Sequence, residues 1–460
     1  MAIKRLGIIV GGGPAPGING VIGAATIEAI NQGYEVIGFL DGFKHLVGED
    51  FAAARHTIRL DIDNVARIHF SGGSILRTSR TSLLDDHRLK SEKKVAPDTA
   101  KVARVVQRLK NMRIDALVTI GGDDTALSAR FICDATDEEF RVVHVPKTID
   151  NDLPLPHDVP TFGFSTARFI GTTLVKNLMA DSQTTGRWYV CETMGRGAGW
   201  LALAIGMAAG ATVTLIPEEF DDNSKVQNIV DVLDGAILKR RLYGRPDGVA
   251  VIAEGLAYKL GDREELERIL GHEVPVDAAG HPRLSEVKLA GLLKDQLEER
   301  FRERGQKITL VDLEIGYELR SADPTPYDMA YCRSLGYFAV QLLLNGGERH
   351  VMVAINNGNL HPINLHDMID PETNRTRIRT VDLRSDMYQV ARAYMIRLER
   401  KDLENVEMLE RLAAEAKLTP DEFRQRYERA ATRRVDWQPA ASEALSGSKA
   451  TARAKAVAQG

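Results

Sequence analysis

Leu6-Gly7-Ile8-Ile9-Val10 is an unbroken apolar run that ends in Gly11-Gly12-Gly13. A run without polar alternation predicts a strand covered on both faces. Pro14 to Gly17 read as a turn. Ile18 to Ile30 predict a helix, and Gly33 supplies its stop. Tyr34 to Leu40 predict the next strand and complete a βαβ unit of a parallel sheet. The pattern recurs. Val102, Val105, Val106 and Leu109 repeat at helical spacing, Ile114 to Ile120 predict a buried strand, and Gly121-Gly122-Asp123-Asp124 the turn beyond it. A helix is expected from Thr125 to Cys133, then a strand from Arg141 to Val145 that stops at Pro146. Trp188 to Met194 and Val249 to Ala253 predict two more strands. Asp123, Lys147, Asp150, Arg196 and Glu254 fall at or just past such strand ends, the edge where open α/β sheets bind ligands. Residues 386–434 are charged and helical in pattern, with a helix start at Thr419-Pro420-Asp421-Glu422. The Ala/Ser/Gly/Lys-rich stretch 438–460 reads as a mobile tail.

Composition narrows the class. At ~150 residues per domain, 460 residues suggest two or three domains. Hydrophobic residues are 44 % and charged residues 27 %, which excludes a disordered chain and a disulfide scaffold. No apolar run is long enough for a membrane span. A net charge of −4 gives no bulk attraction to nucleic acid. Cys133, Cys191 and Cys332 lack metal-ligand spacing and read as free thiols of a reducing compartment. The start of the chain has no apolar leader segment, so a cytoplasmic location is expected.

Three segments can carry chemistry. Gly11 to Gly17 is not a dinucleotide loop, because Pro16 takes the place of the third glycine. Nor is it a Walker loop, because Ile18-Asn19 stand where Lys and Ser/Thr belong. An anion site at a helix N-terminus and a plain tight turn remain equally open. Asp123 and Asp124 are adjacent carboxylates at a sheet mouth. They fit Mg²⁺, or else a helix cap beside a solvated Asp. In Pro146-Lys147-Thr148-Ile149-Asp150-Asn151-Asp152, a buried Lys–Asp salt bridge is the plain reading. In the functional reading Lys147 holds phosphate charge and Asp150 takes a proton from an attacking hydroxyl. Arg77, Arg80, Arg187, Arg196 and Arg320 are each ordinary surface charges alone, but converging they would hold two phosphates.

In this order the segments resemble the phosphofructokinase family, from Gly7 to about residue 365. They are Gly11 to Asn19, Gly72 to Arg80, Gly121 to Thr125, Thr148 to Asp152, Met194-Gly195-Arg196, Glu254 and Gly316 to Asp328. The resemblance implies two doubly wound α/β, Rossmann-like domains with the active site in the cleft between them, plus the helical C-terminal extension. It implies a donor domain of residues 1–162 with about 321–375, and a sugar-phosphate domain of 163–320 with about 376–437. It places Gly12 and Arg80 at the donor phosphates and Asp123 on Mg²⁺. Thr148 and Asp150 face the sugar 1-hydroxyl, with Asp150 the base and Asp152 its support. Met194, Gly195, Arg196 and Glu254 line the fructose 6-phosphate site, and Tyr317 and Arg320 reach the 6-phosphate. Arg187 matches an arginine donated across a subunit interface, which implies a homodimer, or a tetramer, with shared sites. Val311 stands where the family has Arg, six residues before Tyr317, and Lys307 is the candidate replacement.

The family divides by phosphoryl donor. ATP users have Gly at the positions of Asp124 and Lys147, and the paired change resembles the pyrophosphate-dependent branch. A carboxylate at 124 would take the space and repeat the charge of an ATP α-phosphate. Lys147 would add positive charge beside the transferring phosphoryl group. The expected activity is a reversible, Mg²⁺-dependent transfer from pyrophosphate to fructose 6-phosphate. An ATP-dependent enzyme of the same family and a non-catalytic sugar-phosphate-binding subunit are the alternatives.

Overall fold

The structure is a computed structural model that describes residues 4–85, 95–137, 139–156, 159–195, 197–260, 263–270, 273, 287–345 and 349–431. The expected mobile tail, 438–460, lies outside these residues, as does Arg196. Strands β1 (Lys4–Val10), β2 (Tyr34–Phe39), β3 (Thr57–Leu60), β4 (Ala116–Gly121), β5 (Arg141–Thr148) and β6 (Phe162–Gly163) enter a large sheet first. Strands β7 (Trp188–Thr193), β8 (Val213–Leu215), β9 (Gly248–Ala253) and β10 (Leu310–Ile315) form a second sheet, ordered β10-β7-β9-β8. The chain then returns to the first with β11 (His350–Met352). A small hairpin of β12 (Ile355–Asn356) and β13 (Asn359–Leu360) follows, and then β14 (Ile363–Asn364). The large sheet runs β14-β11-β5-β4-β1-β2-β3, with β6 on β5. Its middle pairings are parallel, and β3 and β14 close its edges antiparallel.

Each sheet is covered on both faces, as its unalternating apolar strands require. Leu6, Ile8 and Val10 enter a central core together with Tyr189 and Cys191 of β7 and Val249 and Val251 of β9. Ile9, Leu117 and Val142 face the outer helices of the large sheet. Val190, Ala250 and Ile252 face the outer layer of the small one. That outer layer includes the C-terminal helices Val406–Ala416 and Pro420–Tyr427. They are pinned by a buried cluster in which Asp234 accepts from Arg304 (2.6 Å), Arg300 (3.0 Å) and the Tyr427 hydroxyl. The capping box expected at Thr419 is present.

Two boundaries at the functional edge differ from expectation by two or three residues. The expected helix at Thr125 begins at Asp123: α1 here spans Asp123–Asp134, so both carboxylates lie in its first turn. Strand β5 does not stop at Pro146 but runs to Thr148. Its neighbour β11 reaches only as far as His144, so the proline's missing N–H falls where one flank is already free, and β6 then pairs with Lys147 and Thr148. Asp328 is buried and accepts from the N–H groups of Gly163 (3.0 Å) and Thr166 (2.8 Å). It thereby caps α2 (Phe164–Thr185), the long helix that leads from the large sheet to the small one.

Candidate active site

The loop after β1 is held from three sides. Gly11 N–H donates to Ile120 O and Gly12 N–H to Ser79 O, each at 2.8 Å, and the Thr78 hydroxyl donates to Gly12 O at 2.6 Å. Gly12 has φ +82°, and a Cβ there would lie 3.0 Å from Lys147 Nζ. A larger residue would be strained by the left-handed backbone and would press on the Lys147 ammonium.

Lys147 is buried, and its ammonium donates to Gly13 O at 2.5 Å. Burial lowers its pKa to about 8; Asp150 and Asp123 oppose that shift and Arg320 adds to it. The ammonium thus lies between the glycine loop and the carboxylates. Asp123 and Asp124 are exposed at the start of α1. The turn before them rests on a residue that sequence reasoning missed. His144 Nε2 donates to Gly121 O at 3.0 Å, while its Nδ1 accepts from the Thr119 hydroxyl at 2.9 Å. Burial pushes the imidazole pKa down to about 3, so the ring is neutral and this bonding pattern sets its tautomer. The signal was a Thr and a His in register across two apolar strands.

Beyond β5 the backbone turns through Asn151, which is left-handed at φ +57°. Asp150 N–H donates to the Thr148 hydroxyl at 3.0 Å, and Thr161 binds both Thr148 O (2.6 Å) and Asn151 Oδ1 (3.0 Å). The Asp152 carboxyl is pushed up to about 7 by burial, then by the negative charges of Asp150 and Asp123. Carboxylates that repel one another at the mouth of a sheet, beside a glycine loop, suit a hard divalent cation, and Asp123 is the exposed one among them.

Opposite stand residues of the small sheet. Gly195, with φ +133°, accepts from Gly255 N–H at 3.0 Å, which joins the Met194–Gly195 loop to the turn carrying Glu254. Met194 packs against Gly316, where a Cβ would lie 3.0 Å from Met194 Cε. The Arg320 guanidinium lies 4.4 Å from the Tyr317 ring centre. One of its nitrogens is 3.3 Å from where a Gly13 Cβ would lie, and its charge is felt by Lys147. Arg320, for which the resemblance implied a 6-phosphate contact, thus lies beside the donor loop; burial lowers its pKa, and the charge of exposed Arg80 adds to that shift. Tyr317 is 72 % exposed.

Three basic residues are elsewhere. Arg187 precedes β7, so the six residues of that strand, about 20 Å, separate it from Met194, and it lies beside Asp181 at 4.0 Å. Lys307 likewise precedes β10, at the opposite end from Tyr317. Arg77 turns to Asp41 at 3.4 Å. Neither Arg187 nor Lys307 can reach the cleft of its own chain.

Residues 5–343 match the family model described as Phosphofructokinase. The chain is 54 % identical over 430 residues, 92 % of its length and 98 % of the relative's, to a pyrophosphate–fructose 6-phosphate 1-phosphotransferase of Thermotoga maritima. It is 46 % identical over 429 residues to a protein of the same name from Naegleria fowleri, covering 92 % of this chain and 94 % of that one. Among solved structures it resembles a pyrophosphate-dependent phosphofructokinase from Marinobacter aquaeolei, with TM-score 0.61 and 17 % identity over 90 % of this chain and 92 % of that chain. It spans 39 % of the much longer Pichia pastoris phosphofructokinase chain, with TM-score 0.60 and 22 % identity over 93 % of its own length. The structural likenesses speak for the fold. No helix among the described residues is long and apolar enough to cross a membrane.

Proposed function

Because the chain belongs to the phosphofructokinase family, we propose that it transfers a phosphoryl group, reversibly and with Mg²⁺, from pyrophosphate to the 1-hydroxyl of D-fructose 6-phosphate. The products are fructose 1,6-bisphosphate and phosphate. The observation that carries the donor assignment is the buried Lys147 ammonium, 2.5 Å from Gly13 O and among Asp150 and Asp123. An ammonium in that place stabilises a compact, highly charged donor at the phosphoryl group itself. Asp124, in the first turn of α1, puts negative charge where an ATP α-phosphate would need to lie.

Asp150 takes the proton of the 1-hydroxyl, and the freed oxygen attacks the phosphoryl group in line. Lys147 and Arg320 hold the phosphoryl oxygens as charge shifts onto the leaving phosphate. When bound at Asp123, Mg²⁺ neutralises charge on the pyrophosphate oxygens. Asp152 and Thr148 orient Asp150 and the sugar, while Met194, Gly195, Arg196 and Glu254 bind the sugar phosphate. We assign the half built on the large sheet to the donor and the half built on the small sheet to the sugar. Arg187 serves a neighbouring subunit's site, which makes the working unit a homo-oligomer. Initial rates test this: pyrophosphate should far outpace ATP with fructose 6-phosphate, and fructose 1,6-bisphosphate with phosphate should yield pyrophosphate. A faster rate with ATP, or strictly one-way turnover, overturns the reading.

A further inference from the structure

Residues 376–381 carry no recognisable motif, yet they tie the loop after β5 to Trp200 and Glu218. Arg379 N–H donates to Asp152 O at 2.8 Å. Its side chain is 9 % exposed and binds the loop that carries the carboxylates. Nε donates to Asn151 O (3.2 Å), and Nη2 to Asn151 O (3.0 Å) and to Asn151 Oδ1. Nη1 donates to Pro156 O (3.1 Å) and Val159 O (2.9 Å). Arg379 has no carboxylate partner in an ion pair among the described residues; carbonyl oxygens take the place of water around the guanidinium. Only a planar fork of fixed N–H donors satisfies so many acceptors at once. The same segment also grips the opposite half. Trp200 Nε1 donates to Arg379 O at 2.7 Å, and Val381 N–H donates to Glu218, which also accepts from Gly199 N–H at 2.9 Å. Ile378 lies 3.3 Å from where a Gly197 Cβ would be.

We propose that Arg379 is a positioning residue for catalysis: it holds Asn151 in its left-handed turn and thereby fixes the aim of Asp150 and Asp152 on either side. The C-terminal segment is on this view a working part of the active site. The proposal deepens the kinase reading and rests on it for the role of Asp150, though not for the loop's order.

The experiment compares Arg379→Met and Arg379→Lys with the parent in the full-length protein. Hydrogen exchange of the 148–159 amides, measured without substrate, should quicken at least about tenfold in Arg379→Met, with the rest of the large sheet unchanged. With pyrophosphate and fructose 6-phosphate, kcat should fall about 100-fold while both KM values change little, because a misplacement of about 1 Å suffices for that loss. Arg379→Lys should rescue little, since an ammonium cannot span these carbonyls. The acid limb of the kcat profile should move to higher pH, because the positive charge near Asp152 is gone. Parental exchange in 148–159, or kcat within threefold of the parent, overturns the proposal. So does a kcat loss that only tracks the unfolded fraction, with the acid limb unmoved. If Arg379→Met fails to fold, Arg379→Lys decides by its exchange rates in 148–159 and its kcat, with the acid limb unmoved because the positive charge is kept. A parent inactive with pyrophosphate would defeat the functional reading, and the exchange measurement would still decide the role of Arg379 in the loop.

Discussion

Replacing Lys147 with Met separates what the ammonium does for the reaction from what it does to the fold. Met matches the stem in length and fills the same channel. Burial holds the ammonium at a pKa of about 8 against an ordinary 10.5. At about 1.4 kcal/mol per pKa unit, the charged form is penalised by about 3 kcal/mol at neutral pH. The variant also loses the hydrogen bond to Gly13 O, worth about 1 kcal/mol. Lys147→Met should therefore be more stable than the parent by about 2 kcal/mol at pH 7. The sign follows from the folded pKa lying below the unfolded one. The penalty is full below about pH 8, shrinks as pH rises, and vanishes above about 10.5. Activity should move the opposite way. A positive charge about 4 Å from the transferring group contributes about 4 kcal/mol at an effective dielectric of about 20, so kcat with pyrophosphate should fall about 10²- to 10³-fold. Denaturant midpoints at pH 7 and pH 10, with initial rates on the same samples, read both effects. A variant less stable than the parent at pH 7, or active within tenfold, would show that Lys147 is a structural ion-pair residue and not a charge held ready for substrate.

The paired change Asp124→Gly with Lys147→Gly should lower the rate with pyrophosphate and admit ATP; competition assays with both donors would reveal a variant that still rejects ATP. Asp150→Asn should lose about 10³-fold in kcat with little change in KM or melting temperature. Mixing Asp150→Asn with Arg187→Ala, each nearly inactive alone, should restore about a quarter of parental activity through hybrid dimers with one intact site. No recovery after subunit exchange would place Arg187 outside the neighbouring site. In the free enzyme, kcat/KM should decline below about pH 7 as Asp152 takes up its proton, and above about pH 8 as Lys147 loses its own. A flat profile from pH 6 to 9 contradicts both assignments.

The buried strands were legible because a strand covered on both faces needs no alternation, and Leu6–Val10 shows none. Asp123, Lys147 and Asp150 were legible because each directly follows or ends such a run. Three features were not. Arg379 lies in Thr376-Arg377-Ile378-Arg379, an alternation that reads as an exposed strand, and the acceptors of its guanidinium are more than 200 residues away. His144 is a polar side chain inside an apolar run, which only the register of β4 and β5 explains. The facing of Arg320 depends on how the turn after β10 crosses to the other half, and sequence spacing carries no information on that.

The order of strands has a consequence for how this chain comes off the ribosome. Strand β5 gains its neighbour β11 only when His350–Met352 have been made. That is about 200 residues after β5 itself, or about 10–40 s of synthesis. Throughout that interval Val142 and Val143 lie on a bare strand edge, open to other nascent chains. Slower elongation over residues 150–350 would lengthen this window, so yield should depend on synthesis speed more than the finished protein's stability suggests.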